Sequence, residues 1–181
     1  SIAGDHARLI QQKVLDPLQL RNTFYRNSPG YLKYPELPGS YLDQFGTGNL
    51  ADVTMMQQVS VACSKGDDGI VSTPSDAIRF MKGLINGKLL SASSMEQMMT
   101  WVNDSEGQPI QGLGLFNVRY SGHTGYGHGG AGIGAGCGLY YFPDRNVYVF
   151  LGTNIGTLVD GPIVRKVDEL KKKVIEVVLS Y

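Results

Sequence analysis

The sequence has no surplus of either charge, because 16 Lys and Arg residues are balanced by 16 Asp and Glu residues. Binding to nucleic-acid phosphates normally needs a basic surplus, so no nucleic-acid partner is predicted. The strongest basic run, Lys171–Lys173, falls in a helical pattern and is interpreted as a solvated helix face.

Long hydrophobic runs are also absent. No stretch approaches the roughly 18 uninterrupted apolar residues of a membrane helix, so no transmembrane segment is predicted. The first residues, Ser1–His6, lack the basic and apolar regions of a signal peptide. We therefore expect the chain to begin partway along a structural element.

Cysteine is scarce. Cys63 and Cys137 are too few and too far apart for a disulfide framework or a zinc site, and both are interpreted as buried free thiols. Neither a metal nor a cofactor is predicted. With 42% hydrophobic and 18% charged residues among 181, the composition is that of one soluble globular domain.

Glycine, in contrast, is abundant and locally dense. Of 24 glycines, eleven fall within the 27 positions from Gly112 to Gly138. Such density indicates tight turns or a backbone that another group approaches closely.

The first two thirds of the chain show helical patterns. A short helix is predicted over 5–15, an irregular segment over 26–50, and a helix from Pro74, capped by Thr73 and ended by Gly87. A further helix begins near Ser91, and its methionine stripe is interpreted as core packing. That stripe consists of Met95, Met98 and Met99, followed by Val102.

The pattern changes after residue 112. Strands are predicted over 113–120, 138–142 and 147–151, the last two forming a hairpin. A closing helix over 162–179 carries an apolar stripe made of Ile163, Val167, Leu170, Val174 and Val177 or Val178. Helices, then three strands, then a helix predict an α+β fold whose last helix covers one face of the sheet.

The segment Tyr126–Gly134 holds the best candidate for chemistry. His128 stands between glycines at the start of a predicted strand, which leaves its imidazole unobstructed. A glycine-rich strand edge also offers the free N–H groups that an oxyanion hole requires. A turn histidine without catalytic function fits the same few residues.

The order of motifs resembles one family. Asp16-Pro17-Leu18-Gln19-Leu20-Arg21-Asn22-Thr23-Phe24, Gly69-Ile70-Val71-Ser72-Thr73-Pro74-Ser75-Asp76-Ala77-Ile78-Arg79-Phe80 and Gly127-His128-Gly129-Gly130 follow in sequence. They resemble segments of the penicillin-recognising serine hydrolases, which include class C β-lactamases, D-alanyl-D-alanine carboxypeptidases and esterases. The resemblance implies the β-lactamase/transpeptidase-like fold, with the C-terminal strands and final helix packed on the sheet.

The resemblance also implies site roles. His128 matches the Lys or His of the third active-site motif, Gly130 its glycine, and Ala131 the residue whose backbone N–H stabilises the oxyanion. Gly129 and Gly132 are expected to border the substrate. Gly129 departs from the pattern, because the family has a Thr or Ser hydroxyl there that commonly binds a substrate carboxylate. A second triplet, His123-Thr124-Gly125, reads as the motif but stands five residues too early.

No nucleophile is predicted in the chain. The family uses Ser-x-x-Lys, and no lysine here has a serine three residues before it. Tyr25-Arg26-Asn27 matches the family's second motif, Tyr-x-Asn, but follows the Pro17-Leu18 segment instead of preceding it. It is interpreted as a coincidence in a loop.

The sequence thus predicts the C-terminal part of a serine hydrolase acting on a β-lactam, a D-Ala-D-Ala peptide or an ester. Residues 1–111 would form the mainly helical and irregular part and 112–181 the strands and last helix of one truncated domain. We expect the chain alone to be inactive and to need the missing N-terminal part, or to self-associate through an exposed strand edge. A non-catalytic module that binds peptide or cell wall is the alternative. The resemblance implies a periplasmic or extracellular location.

Overall fold

The computed structural model describes residues 6–25, 37–63, 66 and 69–181, with helices around an antiparallel sheet. The helices are α1 (His6–Ile10), continued by a π-helical segment Gln11–Leu15, α2 (Thr54–Cys63), α3 (Pro74–Ile85), α4 (Ala92–Met98) and α5 (Pro162–Leu179). The strands are β1 (Phe24–Tyr25), β2 (Tyr41–Leu42), β3 (Ala51–Asp52), β4 (Ile70–Val71), β5 (Val102–Asn103), β6 (Pro109–Gln111), β7 (Phe116–Tyr120), β8 (His123–Ala131), β9 (Gly136–Phe142) and β10 (Val147–Thr153).

The main sheet has six strands in the order β10-β9-β8-β7-β6-β5, and two small pairs, β1-β4 and β2-β3, stand apart. The α+β class is confirmed, but the expected number of three C-terminal strands is wrong. β5 and β6 are too short for a period to show. β8 has four glycines among nine residues and only one β-branched residue, Thr124, so its composition is not typical of a strand. β5 and β6 precede residue 112 and belong to the same sheet as β7 to β10. The division of the domain into residues 1–111 and 112–181 stays a prediction.

Helix α3 begins as predicted. The Thr73 side chain accepts a hydrogen bond from the Asp76 N–H at 3.3 Å, Pro74 takes the first helical position, and Gly87 follows the end with φ +69°. The inner face of α3 buries Met81 and Leu84 against Leu115. The methionines after Ser91 join this core, which confirms them as packing residues. Val102, however, lies in β5, because α4 ends at Met98.

Part of the predicted irregular segment lies outside the described residues, and the rest contains β2. The helix α2 was not predicted, since its sequence shows no clear apolar stripe. Its exposed Met55, Met56 and Val59 blur the period. No helix in the described ranges is long and apolar enough to span a bilayer.

Helix α5 covers one face of the sheet with a different side from the predicted one. Val164, Ile175 and Leu179 are buried, and the last two pack against Phe142 and Val149. The predicted stripe is mostly exposed, since Leu170 keeps 61% and Val177 56% of its surface. The buried side of α5 also contains Asp168 and Lys171, so it does not form a continuous apolar stripe in the sequence. The predicted stripe is more regular, and for that reason the sequence favoured the wrong side.

The opposite face of the sheet packs on α3 and α4. Tyr126, Leu139, Tyr141 and Tyr148 contribute to this second core, together with Met81, Leu84 and Leu115. The two faces alternate along each strand, so neighbouring residues of β8 point to opposite sides. This alternation places His128 and Gly130 on the same face as Tyr126, the face that packs on α3 and α4.

Candidate functional site

A cleft of about 970 Å³ lies between the helical part and the sheet. One wall is formed by the second half of β8, from His128 to Ala131, and by Cys137 of β9. The opposite wall includes side chains of α1, its π-helical extension and α3, so most of the lining is apolar. The structure thus brings His128, Gly129, Gly130, Ala131 and Gly132 together on one side of this cleft.

The imidazole of His128 is exposed, and its ring centroid lies 4.8 Å from that of Phe116. His128 does not stand at the start of a strand, as the sequence suggested, but in the second half of β8. The sheet pairs it with Leu139, which fixes the backbone while the ring stays accessible to a ligand. A group held in this way can donate or accept a proton in the cleft.

The last residues of β8 leave one strand edge open. The pairing of β8 with β7 ends at Gly127 and Phe116, whereas the pairing with β9 continues to Ala131 and Gly136. The Gly132 N–H donates to the Ala135 carbonyl at 2.9 Å, on the β9 side. Because successive N–H groups of a strand point to opposite edges, the Ala131 N–H points away from β9. It is available to a developing oxyanion.

Two glycines shape this wall. A Cβ at Gly130 would lie 2.8 Å from the Cys137 sulfur, and one at Gly129 would lie 3.3 Å from the Tyr140 hydroxyl. Burial, with smaller contributions from Tyr120, Cys137 and Asp168, raises the pKa of Tyr140 above its usual value. Tyr140 and the Gly129 position face the α5 side of the sheet, so this hydroxyl lies behind the cleft wall.

Cys137 is an exposed thiol and not a buried one, contrary to the expectation from the sequence. It pairs with Gly130 across the two strands, which turns its side chain toward the cleft. Because Gly130 has no side chain, the sulfur is not covered. The side chain of Cys63 lies outside the described residues.

Gln57 of α2 is a site residue that sequence reasoning missed. Gln57 is only 8% exposed, and its Oε1 accepts a hydrogen bond from the Gly134 N–H at 2.8 Å. It also lines the cleft beside Gly132. The contact holds the turn that follows Ala131, yet 77 positions separate the two partners, so no local pattern could reveal it.

The alternative triplet at His123 lies at the far end of the same strand. His123 Nδ1 is paired with Asp144 in the turn between β9 and β10. The hydrogen bond with His123, ahead of the charge of His123, holds the pKa of the Asp144 carboxyl below its usual value. His123 is not among the residues that line the cleft, whereas His128 is.

A polar cluster on the helical wall joins the two other sequence segments that resemble the family. Asp76 is 1% exposed and accepts hydrogen bonds from the Asn22 N–H at 2.8 Å and the Thr23 hydroxyl at 3.1 Å. Thr23 also bonds Ser72 at 2.8 Å. These groups are satisfied by one another, so they position the wall and supply no activated nucleophile.

Of the Tyr-x-Asn match, only Tyr25 is described by the structure, and Arg26 and Asn27 lie outside the described residues. Tyr25 itself is buried, and its hydroxyl lies 3.1 Å from His6 Nδ1. Among the described residues, no group of His, Cys, Asp and Glu side chains is arranged to hold a metal ion.

Comparison with known proteins gives a family and a fold. The sequence model of the Beta-lactamase family matches residues 3–170. A D-amino acid amidase from Ochrobactrum anthropi SV3, solved with L-phenylalanine amide, superposes with a TM-score of 0.72 at 20% identity. That match covers 96% of this chain and 51% of the amidase.

Two further solved structures have a similar fold. A D-stereospecific amidohydrolase from Streptomyces sp. has a TM-score of 0.67 at 22% identity, covering 86% of this chain and 45% of the other. An octameric penicillin-binding protein homologue from Pyrococcus abyssi has a TM-score of 0.65 at 19% identity, covering 92% and 38%. The chain thus spans about half the length or less of these proteins, and identities this low establish the fold alone.

Proposed function

The chain belongs to the beta-lactamase family, and from this membership we propose that it forms one wall of the active site of a serine hydrolase. The reaction is acyl transfer, in which a serine attacks the substrate carbonyl and water later hydrolyses the acyl-enzyme. In this proposal His128 takes part in the proton and hydrogen-bond network at the nucleophile. The Ala131 N–H is one of two donors to the oxyanion.

The observation that carries the proposal is the open end of β8. Both an exposed imidazole and an outward-pointing N–H stand on one wall of a large cleft, within four residues of each other. Gly130 keeps the strand accessible between them. Gln57, through Gly134, fixes the turn behind them.

The substrate is proposed to be an amide or ester rather than a good β-lactam or D-Ala-D-Ala substrate. Gly129 offers no hydroxyl to bind a substrate carboxylate. Two of the similar structures are named as an amidase and an amidohydrolase acting on D-configured compounds. Those names support an amide substrate for this chain.

The nucleophile is proposed to come from a different segment, since this chain has no Ser-x-x-Lys. The partner would be the N-terminal part of the same protein, and a periplasmic or extracellular location is proposed from the family resemblance.

Labelling of the 181-residue chain with a fluorophosphonate or penicillin probe tests the proposal. We expect no labelled serine in this chain alone. The coding sequence that adjoins it should contain Ser-x-x-Lys and Tyr-x-Asn. A stoichiometric acyl-serine in the isolated chain would contradict the proposed division of the site.

A non-catalytic binding module is the second candidate, favoured by the missing nucleophile and by the largely apolar cleft. It would bind peptide or cell-wall ligands through the same wall. An adjoining coding sequence without Ser-x-x-Lys, together with saturable binding of peptidoglycan fragments, would favour this function over the enzyme.

A further inference from the structure

The imidazole of His128 has a phenyl ring as its neighbour. The ring centroids of Phe116 and His128 lie 4.8 Å apart, and the two ring planes are inclined by 41°. This separation is within the range of attractive aromatic pairs. Across the described residues, the His128 side chain makes no hydrogen bond and no ion pair. The contact with Phe116 is therefore the interaction that can orient this imidazole.

Phe116 itself has a fixed backbone. It pairs with Gln111 of β6 on one side and with Gly127 of β8 on the other. The residue before it, Leu115, is 3% exposed and belongs to the core that packs on α3. Phe116 nevertheless keeps 37% of its surface exposed. The strands thus hold the phenyl ring in one place, from which it contacts His128.

The contact lies where the edge of β8 becomes open. The pairing of β7 with β8 ends at Phe116 and Gly127, and His128 is the next residue of β8. In the described ranges, β8 pairs from His128 onward with β9 alone. Phe116 is thus the residue of β7 nearest to the open edge. It supports His128 without covering the edge on which the Ala131 N–H is exposed.

His123 shows another way to hold an imidazole. Its Nδ1 is paired with the Asp144 carboxylate, which occupies that nitrogen. In a catalytic triad an acid likewise orients the histidine through one of its nitrogens. The side chain of Phe116 has no oxygen or nitrogen, so it restrains the His128 ring and occupies neither nitrogen. An imidazole held in this way can form hydrogen bonds with two groups at once.

We propose that Phe116 is a positioning residue, which orients the His128 imidazole by ring contact alone and leaves both imidazole nitrogens available in the cleft. The consequence for catalysis rests on the proposed function, in which His128 belongs to the network at the nucleophile. One nitrogen then serves the nucleophile and the other the substrate or its leaving group. The orientation itself does not rest on that function and is measured in the chain alone.

NMR relaxation of the histidine rings in the 181-residue chain measures the orientation. His6→Gln, His123→Gln and His128→Gln assign the ring signals. We expect the ring order parameter of His128 to fall from about 0.85 to about 0.6 or less in Phe116→Leu. Phe116→Tyr keeps an aromatic ring and should restore the order. Phe45→Leu is the matched control, because Phe45 is 78% exposed and should leave the His128 ring unchanged.

Correlations between ring protons and ring nitrogens show whether the nitrogens are available. They are recorded at about pH 9, where an ordinary imidazole is neutral. His123 should show one tautomer, with its proton on the Nδ1 that faces Asp144. His128 should show a mixture of both tautomers, because no partner fixes one of them. A single fixed tautomer of His128 would mean that one nitrogen is bonded, and it would overturn the proposal.

Kinetics of the assembled enzyme test the catalytic consequence. Phe116→Leu should lower kcat about three- to ten-fold with KM unchanged, since the imidazole loses its orientation while substrate binding is retained. Phe116→Tyr should restore kcat. In a His128→Gln background, Phe116→Leu should cause no further loss, because a residue that acts through His128 has no effect without it.

The outcomes separate this proposal from the proposed function. An equally ordered His128 ring, or an unchanged kcat, in Phe116→Leu would overturn the positioning role. A loss of kcat that persists in the His128→Gln background would give Phe116 a role of its own and would overturn it as well. Activity that survives His128→Gln would contradict the proposed function instead, and the order parameters would still decide whether Phe116 holds the ring.

Discussion

Two glycines of β8, Gly127 and Gly130, differ in what an added side chain would contact. At Gly127 a Cβ would overlap the carbonyl oxygen of Leu139, which belongs to the backbone of the neighbouring strand and cannot turn aside. At Gly130 the obstacle is the Cys137 sulfur at 2.8 Å, which is the end of a side chain. The two glycines therefore serve different purposes, because the first permits β8 and β9 to pair and the second keeps the cleft wall open.

Gly127→Ala should destabilise the chain by about 3 kcal/mol, since an added methyl must push two paired strands apart. The matched control is Gly152→Ala in β10, where the nearest neighbour of the new Cβ would be Phe150 at an ordinary 3.4 Å. Urea unfolding of both variants gives the comparison. If Gly127→Ala were as stable as Gly152→Ala, β8 and β9 would accommodate the methyl group at little cost, and the predicted clash with the Leu139 backbone would be wrong.

The Ala131 N–H allows a test of the oxyanion proposal at one atom. Ala131→Pro removes this N–H, and the strand tolerates it because the N–H does not pair with β9. In the assembled enzyme we expect kcat to fall about a hundred- to a thousand-fold, the usual loss for one oxyanion donor. Ala131→Ser keeps the N–H and should retain most activity. Equal rates for the proline and serine variants would exclude this N–H from catalysis.

At the scale of elements, the buried carboxylate of Asp76 explains why two distant sequence segments belong together. It accepts hydrogen bonds from Asn22 and Thr23, which precede β1, and pairs with Arg79 one turn further along α3 at 3.0 Å. Thr23 in the segment Asp16–Phe24 and Asp76 in the segment Gly69–Phe80 thus contact each other directly. This contact fixes the helical wall of the cleft.

Asp76→Ala should cost about 3 kcal/mol or more, because it leaves the buried donors of Asn22 and Thr23 without an acceptor. Arg79 is 52% exposed, so Arg79→Met should cost no more than about 1 kcal/mol. Thermal and urea unfolding of the two variants measure the difference. If both changes cost the same, the ion pair would matter more than the hydrogen bonds to the loop.

The elements that the sequence predicted best are those with local signals. Thr73 and Pro74 mark the start of α3 by their own chemistry, and the turn before Val147 marks the hairpin of β9 and β10. The site was predicted less completely, because the Gln57 contact to Gly134 depends on the tertiary fold. The packing side of α5 was missed for a similar reason, since the sheet and not the helix decides which apolar side is buried.

At the scale of the whole molecule, partly buried tyrosines on the sheet make the free energy of unfolding depend on pH in the alkaline range. Burial, and next the charge of Asp168, raises the pKa of Tyr120, and burial likewise raises that of Tyr140. A raised folded-state pKa means that the unfolded state releases its proton first. The stabilisation is therefore complete below about pH 10 and is lost as pH rises through the folded-state pKa.

Tyr140→Phe should consequently flatten the fall in unfolding free energy above about pH 10. Tyr181→Phe is the matched control, because Tyr181 is 96% exposed and should leave the profile unchanged. Urea unfolding between pH 8 and 11.5 gives the two curves. Parallel curves for both variants would show that Tyr140 titrates as freely in the folded state as in the unfolded one.

The outer edge of β10 is where we expect copies of the chain to associate, if they do. Across the described residues β10 pairs only with β9, so every second N–H along it lacks a strand partner. In dilute solution we expect alternate amides of Val147–Thr153 to exchange hydrogen fast while the amides facing β9 stay protected. If copies pair through this edge, the fast amides become protected as concentration rises and light scattering shows the mass doubling. Alternation that persists at high concentration, with a constant monomer mass, would exclude edge pairing.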